Sequence, residues 1–237
     1  MSFSAHARAS GNPDGHAVVL AGVTLIADAA GALYWPEQSL LAVADLHLEK
    51  GSSFAARGQL LPPYDTAATL ARLARLIARY APHCVVALGD SFHDGEGPAR
   101  LAPDDRESLS AMQRGRDWIW IAGNHDPQSA VNIGGTFHPA CSIGALTFRH
   151  LPTGAGGEIS GHLHPVARVA QRGRAISRRC FANDAMRMVM PAFGAFTGGL
   201  NVRDAAFADL FGTLKFTAHM LGDGRLYSFA AKRCLPD

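Results

Sequence analysis

Apolar residues in the first half of the chain form short continuous runs separated by longer helical segments. The runs at residues 40–44, 85–88 and 118–122 have the length and continuity of strands buried on both faces. Between them, residues 62–80 repeat apolar positions at helical spacing after a Pro-Pro pair, and residues 103–114 predict a second helix. This alternation predicts parallel strands joined by helical crossovers.

Strands dominate the rest of the predicted structure. Residues 18–20 and 23–26 flank Ala21-Gly22 and predict a β-hairpin, and residues 32–35 predict another strand. In the second half, strands are predicted at residues 146–149, 158–159, 166–170, 175–181, 187–190, 215–220 and 225–229, with a short helix at 204–211. The order favours an α/β (α+β) fold class with two mixed sheets packed together and helices outside.

Composition agrees with a folded domain of this kind. The chain has 237 residues, of which 48% are hydrophobic and 18% charged, so a sizeable core is expected. Residues 1–16 predict a flexible N-terminal tail, and residues 17–237 predict a single domain because no convincing linker divides them. The net charge of +2 is too small to identify a partner.

The cysteines and the N-terminus favour a cytoplasmic location. The four cysteines are widely spaced and form no C-x-x-C pair, which is typical of a reducing compartment. The first residues lack the apolar core of a signal peptide, and no apolar run approaches the ~18 residues of a membrane span. We therefore expect a cytoplasmic protein without a membrane partner.

Five motifs with metal-binding side chains occur in a fixed order beside predicted strands. They are Asp45-Leu46-His47, Gly89-Asp90-Ser91-Phe92-His93, Gly123-Asn124-His125-Asp126, the lone His150, and Gly161-His162-Leu163-His164. The first three follow the three buried strands, and ligands of parallel sheets collect at the carboxyl ends of strands. In an extended chain positions i and i+2 point the same way, so Asp45 and His47 are expected to reach one ion.

The donor types in these motifs predict two divalent metal ions. Carboxylates, an amide oxygen and neutral imidazoles suit Mn, Fe or Zn better than Mg or Ca. Asp90 is the better candidate for a bridging carboxylate, because it follows the middle strand of the three. The predicted metal ligands are Asp45, His47, Asp90, Asn124, His150, His162 and His164.

Such a centre favours phosphoester chemistry. Two divalent ions about 3.5–4 Å apart can clamp a phosphoryl group and generate a nucleophilic hydroxide. Two aspartates leave an excess positive charge that attracts an anionic phosphate. His125 is not needed as a ligand and is the candidate for stabilising the transition state or protonating the leaving oxygen. His93, three residues after Asp90, is the second candidate for contacting substrate.

Chance explains each motif alone but not the set. A D-x-H pair or a lone histidine arises often, and His93 also has the alternative of simply packing in the protein. Five motifs in order, three of them at predicted strand ends, predict a functional site. The remaining histidines match no motif and are left out of it: His6, His16, His83, His138 and His219.

The motifs resemble those of the calcineurin-like binuclear metallophosphoesterase superfamily over roughly residues 40–165. The resemblance implies a four-layer αββα sandwich with two metal ions between the sheet edges. By position it assigns one ion to Asp45, His47, Asp90 and His164, and the other to Asp90, Asn124, His150 and His162. It also places His125 where the family has its catalytic histidine.

The differences between this chain and other branches of the family favour a nuclease. Phosphoprotein phosphatases continue the second motif with Asp-Arg-Gly, whereas this chain has His93-Asp94-Gly95. The strings ADLHLEKGSSFA, LGDSFHD, AGNHD and SGHLHP resemble bacterial ligase-associated DNA damage response endonucleases. That resemblance implies a manganese-dependent DNA-repair endonuclease acting on single-stranded DNA by in-line attack of a metal-bridging hydroxide. It further implies functional association with a DNA ligase, a helicase and an exonuclease.

Two further features bear on a nucleic-acid substrate. Between Pro165 and Met190 the chain carries six arginines and a single acid, Asp184. This stretch is either a surface for backbone phosphates or an arginine-rich solvated face on edge strands. Phe54 and Phe92 are candidates for stacking on unpaired bases, although phenylalanine is more often part of a core.

Two rival functions remain at this stage. A phosphodiesterase or phosphatase for small nucleotides would use the same metal site. The surface around the site distinguishes the two functions, because an open basic groove favours DNA and a closed pocket favours a nucleotide. A non-catalytic scaffold of the same fold is the other rival, but such proteins usually lose metal ligands, and here the whole set is present.

Overall fold

The computed structural model describes residues 15–125 and 133–237. The tail predicted for residues 1–16 lies outside the described residues, except for Gly15 and His16, which belong to the first strand. Asp126 of the third motif also lies outside them.

The first sheet contains seven strands in chain order among the described residues. They are β1 (Gly15–Leu20), β2 (Val23–Asp28), β3 (Leu33–Trp35), β4 (Leu40–Ala44), β5 (Cys84–Leu88), β6 (Asp117–Ile121) and β7 (Thr136–His138). Strands β1 to β4 pair antiparallel, and β4 to β7 pair parallel. The predicted parallel arrangement of the three buried strands is confirmed, with β5 in the middle.

Helices cover the outer faces of the sheets. They are α1 (Lys50–Ala56), α2 (Asp65–Tyr80), α3 (Gly97–Arg100), α4 (Pro103–Gln113) and α5 (Ala205–Phe211). Helix α2 buries its apolar stripe, including Leu70, Leu73 and Ile77, against Val43 and Val85 of the first sheet. It begins after the Pro-Pro pair that predicted it, and α1 and α3 were not predicted.

The second sheet pairs strands from the rest of the chain. They are β8 (Ala140–Ile143), β9 (Leu146–Arg149), β10 (Glu158–Ser160), β11 (Pro165–Gln171), β12 (Arg174–Asn183), β13 (Arg187–Val189), β14 (Leu200–Asn201), β15 (Thr217–Leu221) and β16 (Leu226–Ala230). Their order is β14-β11-β12-β13-β10-β9-β8, and β15 and β16 extend from β12. Strand β10 lies between β9 and β13 and is parallel to both, so their carboxyl ends share one edge.

The two sheets pack face to face over a continuous core. Leu40 and Val86 of the first sheet share it with Phe148, Ile159 and Met188 of the second. On the outer face of the second sheet, α5 buries two phenylalanines against β11, β12 and β15. The layers run helix, sheet, sheet, helix, which confirms the predicted fold class.

Helices in the described ranges are too short or too polar to cross a membrane. All four cysteines are free thiols, and Cys180 and Cys234 are buried. Burial raises the pKa of both thiols, so they act as small apolar side chains rather than as nucleophiles.

Candidate metal centre

The carboxyl ends of parallel strands from both sheets meet at one edge of the sandwich. Strands β4, β5 and β6 lead into the first three motifs, and β9 and β10 lead into the last two. Backbone hydrogen bonds join the first two motif loops: the His47 N–H donates to the Asp90 carbonyl at 2.9 Å, and the His93 N–H to the Leu48 carbonyl at 2.9 Å. The first two motif loops are therefore joined by hydrogen bonds of the kind that pair β-strands, and they do not form independent turns.

Five of the predicted ligands have left-handed backbones. Their φ values are +52° for Asp45, +43° for His47, +42° for Asp90, +68° for His162 and +44° for His164. Non-glycine residues adopt this region uncommonly, at a cost of order 1–3 kcal/mol each when held there. The expectation that Asp45 and His47 point alike along an extended chain is therefore wrong in its geometry, although both reach the same cluster.

The first cluster consists of Asp45, His47 and His164, whose ligand atoms all lie within 4.8 Å of one another. The Nε2 atoms of the two histidines are 3.4 Å apart, and His164 Nε2 is 3.3 Å from Asp45 Oδ1. Asp45 and His47 are buried. Two imidazole nitrogens and a carboxylate oxygen that converge in a buried space are a donor set that suits a divalent cation.

The second cluster consists of Asp90, His150 and His162, again within 4.8 Å of one another. His150 Nε2 lies 3.2 Å from His162 Nδ1 and 3.4 Å from Asp90 Oδ1. The amide oxygen of Asn124 is 2.9 Å from the same His150 nitrogen. Four predicted ligands thus meet around His150 Nε2.

Asp90 belongs to the second cluster and also faces the first. Its Oδ1 faces His150 at 3.4 Å, while its Oδ2 faces His47 Nε2 at 3.9 Å. Burial opposes ionisation of Asp90, but hydrogen bonds from His150 and the His125 backbone N–H outweigh it and lower the pKa to about 2. The carboxylate is therefore ionised at neutral pH, with one oxygen directed at each cluster.

The outer side of His150 is held by the first sheet. Its Nδ1 lies 3.3 Å from the carbonyl of Leu88, the last residue of β5, and 3.6 Å from Asp45 Oδ1. A carbonyl or carboxylate on one imidazole nitrogen orients the other nitrogen toward a metal. The two sheets are thereby coupled through one histidine.

Gly123 and Gly161 leave space for the carboxylates of Asp90 and Asp45, respectively. A Cβ on Gly161 would lie 2.5 Å from Asp45 Oδ2 and 3.1 Å from the Leu88 carbonyl. A Cβ on Gly123 would collide with the backbone N and Oδ1 of Asp90. Taken alone in the sequence, either glycine is an ordinary turn residue, and only the packing shows its role.

The two candidate catalytic histidines border the first cluster. The rings of His93 and His125 each have their centroid 5.8 Å from that of His47, and they lie 6.0 Å from each other at 11°. The His125 side chain is 46% exposed, so it is accessible from solvent. Burial, followed by the positive charge of Lys50, lowers the pKa of His93, and burial followed by His164 lowers that of His47 to about 3. Both imidazoles are neutral at pH 7.

Helix α1 adds neighbours that sequence reasoning largely missed. The ring centroid of Phe54 is 5.5 Å from that of His93, and Lys50 Nζ and the Arg57 guanidinium each lie 5.8 Å from the Phe54 ring. Phe54 therefore remains a candidate for contacting substrate. Phe92 is only 1% exposed and packs in the core, so stacking on it is excluded.

The arginines of residues 165–190 do not form one surface. Arg179 donates to the Ala192 carbonyl at 2.8 Å, and Arg187 pairs with Asp184 at 2.7 Å, so both have internal partners. Arg172 and Arg174 lie at the exposed tip of the β11–β12 hairpin. At ~3.3 Å per residue along β11, that tip is roughly 25 Å from the metal centre. The solvated-face alternative fits these two arginines better.

Residues 39–174 match the family model for the calcineurin-like phosphoesterases, which is more than half of the chain. The chain belongs to this family, as its motifs predicted, and is a hydrolase acting on ester bonds. The family and the two clusters together indicate two divalent metal ions. The donor set fits them, because two carboxylates, an amide oxygen and several imidazoles converge there.

The structure is similar to that of a solved nuclease. The Pseudomonas putida nuclease MPE is 27% identical, with a TM-score of 0.69 over 91% of this chain and 100% of that chain. Yfce, a phosphoesterase from E. coli, is 16% identical, with a TM-score of 0.40 over 81% of this chain and 98% of that chain. A comparison with curated proteins finds no significant match.

Proposed function

We propose that the chain is a metal-dependent phosphodiesterase that acts as an endonuclease on DNA, preferably single-stranded, in DNA repair. The observation that carries the proposal is the placement of Asp90 between two donor clusters, with the exposed His125 beside them. The similarity to the P. putida nuclease supports a nucleic acid as the substrate class. Association with a DNA ligase, a helicase and an exonuclease is part of the same proposal.

The two clusters define how the ions would be held. One ion would use Asp45, His47, Asp90 and His164, and the other Asp90, Asn124, His150 and His162. We propose manganese, because the mixed oxygen and nitrogen donors suit it, as they also suit Fe or Zn. When bound, the two ions supply the charge that polarises a phosphodiester and activates water for in-line attack.

His125 is proposed to hold the proton for the leaving oxygen. Its backbone N–H donates to Asp90 Oδ1 at 2.9 Å, and its Nε2 lies 4.0 Å from Asp90 Oδ2, so the ring is fixed beside the bridging position. The parallel ring of His93 is proposed to contact a non-bridging phosphate oxygen from the same side. Since neither ring is in the two donor clusters, both are free to act on substrate.

The test uses closed circular single-stranded DNA, which only an endonuclease can open. Protein loaded with manganese is incubated with this circle, with a duplex plasmid and with bis(4-nitrophenyl) phosphate. We expect linear products from the single-stranded circle, loss of these products in His125→Ala, and wild-type cleavage in His83→Ala. His83 is a matched control because it is exposed and precedes β5, at the opposite end of the strand from Asp90.

The same assay separates the rival function. Hydrolysis of the small phosphodiester without incision of either DNA would contradict the endonuclease and favour a small-nucleotide phosphodiesterase. Equal cutting of both DNA forms would contradict the preference for single strands.

A further inference from the structure

Phe196 presents an aromatic ring to solvent at a conformational cost. The residue is 51% exposed, and its backbone φ is +56°. A bulky side chain in the left-handed region is an outlier, and an exposed phenylalanine leaves apolar area in water. Neither feature stabilises the folded chain, so both suggest contact with something outside it.

The segment that carries Phe196 is fixed against the metal centre. The Gly194 N–H donates to the carbonyl of Asp45, a residue of the first cluster, at 3.0 Å. The Ala195 N–H donates to Thr69 Oγ1 of α2 at 3.0 Å. The backbone that leads into Phe196 is therefore held beside the centre.

Lys50 connects the backbone of Phe196 to helix α1. Its Nζ donates to the Phe196 carbonyl at 2.9 Å and lies 5.8 Å from the centre of the Phe54 ring. Burial lowers the pKa of Lys50, while Asp65 raises it. The ammonium group thus lies between the Phe54 ring and the backbone carbonyl of Phe196.

These groups continue a line of rings that starts at the proposed catalytic histidines. The Phe54 ring is 5.5 Å from that of His93, which lies parallel to His125 at 6.0 Å. Following the contacts outward from the centre gives His125, His93, Phe54, Lys50 and Phe196. Flat rings with an intervening cation match the alternation of bases and phosphates in a nucleic-acid strand.

We propose that Phe54, Lys50 and Phe196 form a subsite for an unpaired nucleotide flanking the scissile phosphate. A base stacks on Phe196, with Phe54 on the side toward the centre, and Lys50 contacts the adjacent backbone phosphate. The inference rests on the proposed function and deepens it. Paired bases are already stacked in a duplex, so this subsite would itself favour single-stranded DNA.

The experiment measures the KM of single-stranded oligonucleotide cleavage with manganese. Phe196→Ala is expected to raise KM about tenfold, because stacking of one base on an aromatic side chain is of that magnitude. Phe196→Trp retains a stacking surface and is expected to keep KM near wild type. Tyr227→Ala on β16 is the matched control, an aromatic residue 41% exposed at the edge of the second sheet, and is expected to match wild type.

Lys50→Gln gives an independent reading of the phosphate contact. Loss of one phosphate contact is expected to weaken DNA binding. It should also lower the slope of log KM against log salt concentration by about one. Melting temperature and metal content of each variant check that the fold and the centre are intact. An unchanged salt slope would overturn the role of Lys50.

The outcomes distinguish this inference from the proposed function. If the wild type fails to cleave single-stranded DNA, the proposed function fails. If the wild type cleaves it but Phe196→Ala has a wild-type KM, the subsite is overturned. Equal increases in Phe196→Ala and Phe196→Trp, or in Tyr227→Ala, would also overturn it, because they would not report stacking.

Discussion

The imidazole of His93 lies parallel to that of His125, with ring centroids 6.0 Å apart and an interplanar angle of 11°. The two rings come from loops that follow neighbouring strands, β5 and β6. Both border the first donor cluster without belonging to it. The two parallel imidazoles are therefore proposed to act on substrate, whereas the side chains of the clusters are proposed to bind metal.

The first prediction tests that separation. Replacing His125 with Ala should lower kcat for phosphodiester cleavage by about 10²–10⁴-fold, which is the usual contribution of a proton-transferring side chain. His93→Ala should also lower kcat, by a smaller factor. The number of metal ions bound per chain, measured by inductively coupled plasma mass spectrometry, should stay at the wild-type value in both variants. Loss of metal in either variant would instead show a ligand.

The second prediction concerns the room that Gly161 gives to Asp45. Gly161→Ala places a Cβ 2.5 Å from Asp45 Oδ2 and 3.1 Å from the backbone carbonyl of Leu88, which cannot rotate away. Overpacking of this kind costs about 1–3 kcal/mol and should displace Asp45. Gly95→Ala is the control, because open space surrounds its added Cβ.

Denaturant unfolding and metal binding measure the outcome for both glycine variants. We expect lower stability and weaker metal binding in Gly161→Ala only. Wild-type values in Gly161→Ala would show that the loop can shift freely and that the contact with Asp45 has no importance.

The third prediction concerns His219, which is buried away from the metal centre. Its Nδ1 lies 2.7 Å from Ser228 Oγ and its Nε2 2.7 Å from Asn183 Oδ1. Burial, followed by the positive charge of His16, lowers the pKa of His219 from 6.5 to about 4. The unfolded chain therefore binds this proton at a higher pH than the folded protein does.

The unfolding free energy should accordingly rise with pH between about 4 and 6.5 and fall on acidification through this window. A shift of this size corresponds to about 3 kcal/mol across the window. Urea unfolding of metal-free protein at several pH values measures the slope, and His219→Gln should make it shallower. His47 contributes in the same direction, so some slope should remain. An equal slope in the variant would contradict the assignment.

The ends of β4, β5 and β6 could be predicted from sequence because each is a short apolar run that stops at a polar motif. Buried parallel strands have this signature, and their carboxyl ends must share an edge. The left-handed backbones at Asp45 and His162 could not be predicted in the same way. They result from contacts between distant loops, such as the His162 N–H with the Asp45 carboxylate at 3.1 Å.

Helix α1 escaped prediction for a different reason. Its sequence, KGSSFAA, has a glycine, two serines and a single large apolar residue, so it has no apolar stripe. Contacts from α2 hold it in place, including Asp65 Oδ2, which accepts from the Gly51 N–H at 3.0 Å. The positions of Lys50 and Phe54 beside His93 follow from that tertiary contact.

Metal stoichiometry is the decisive measurement, because the proposed chemistry needs two ions that share Asp90. Metal-free protein equilibrated with manganese and freed of excess ion should contain two ions per chain, and cleavage should appear only as the second ion binds. Asp90→Ala should reduce both occupancies, since its two oxygens face the two clusters, whereas His83→Ala should keep two ions. A single ion in fully active wild-type protein, or two tightly bound ions in Asp90→Ala, would contradict the account.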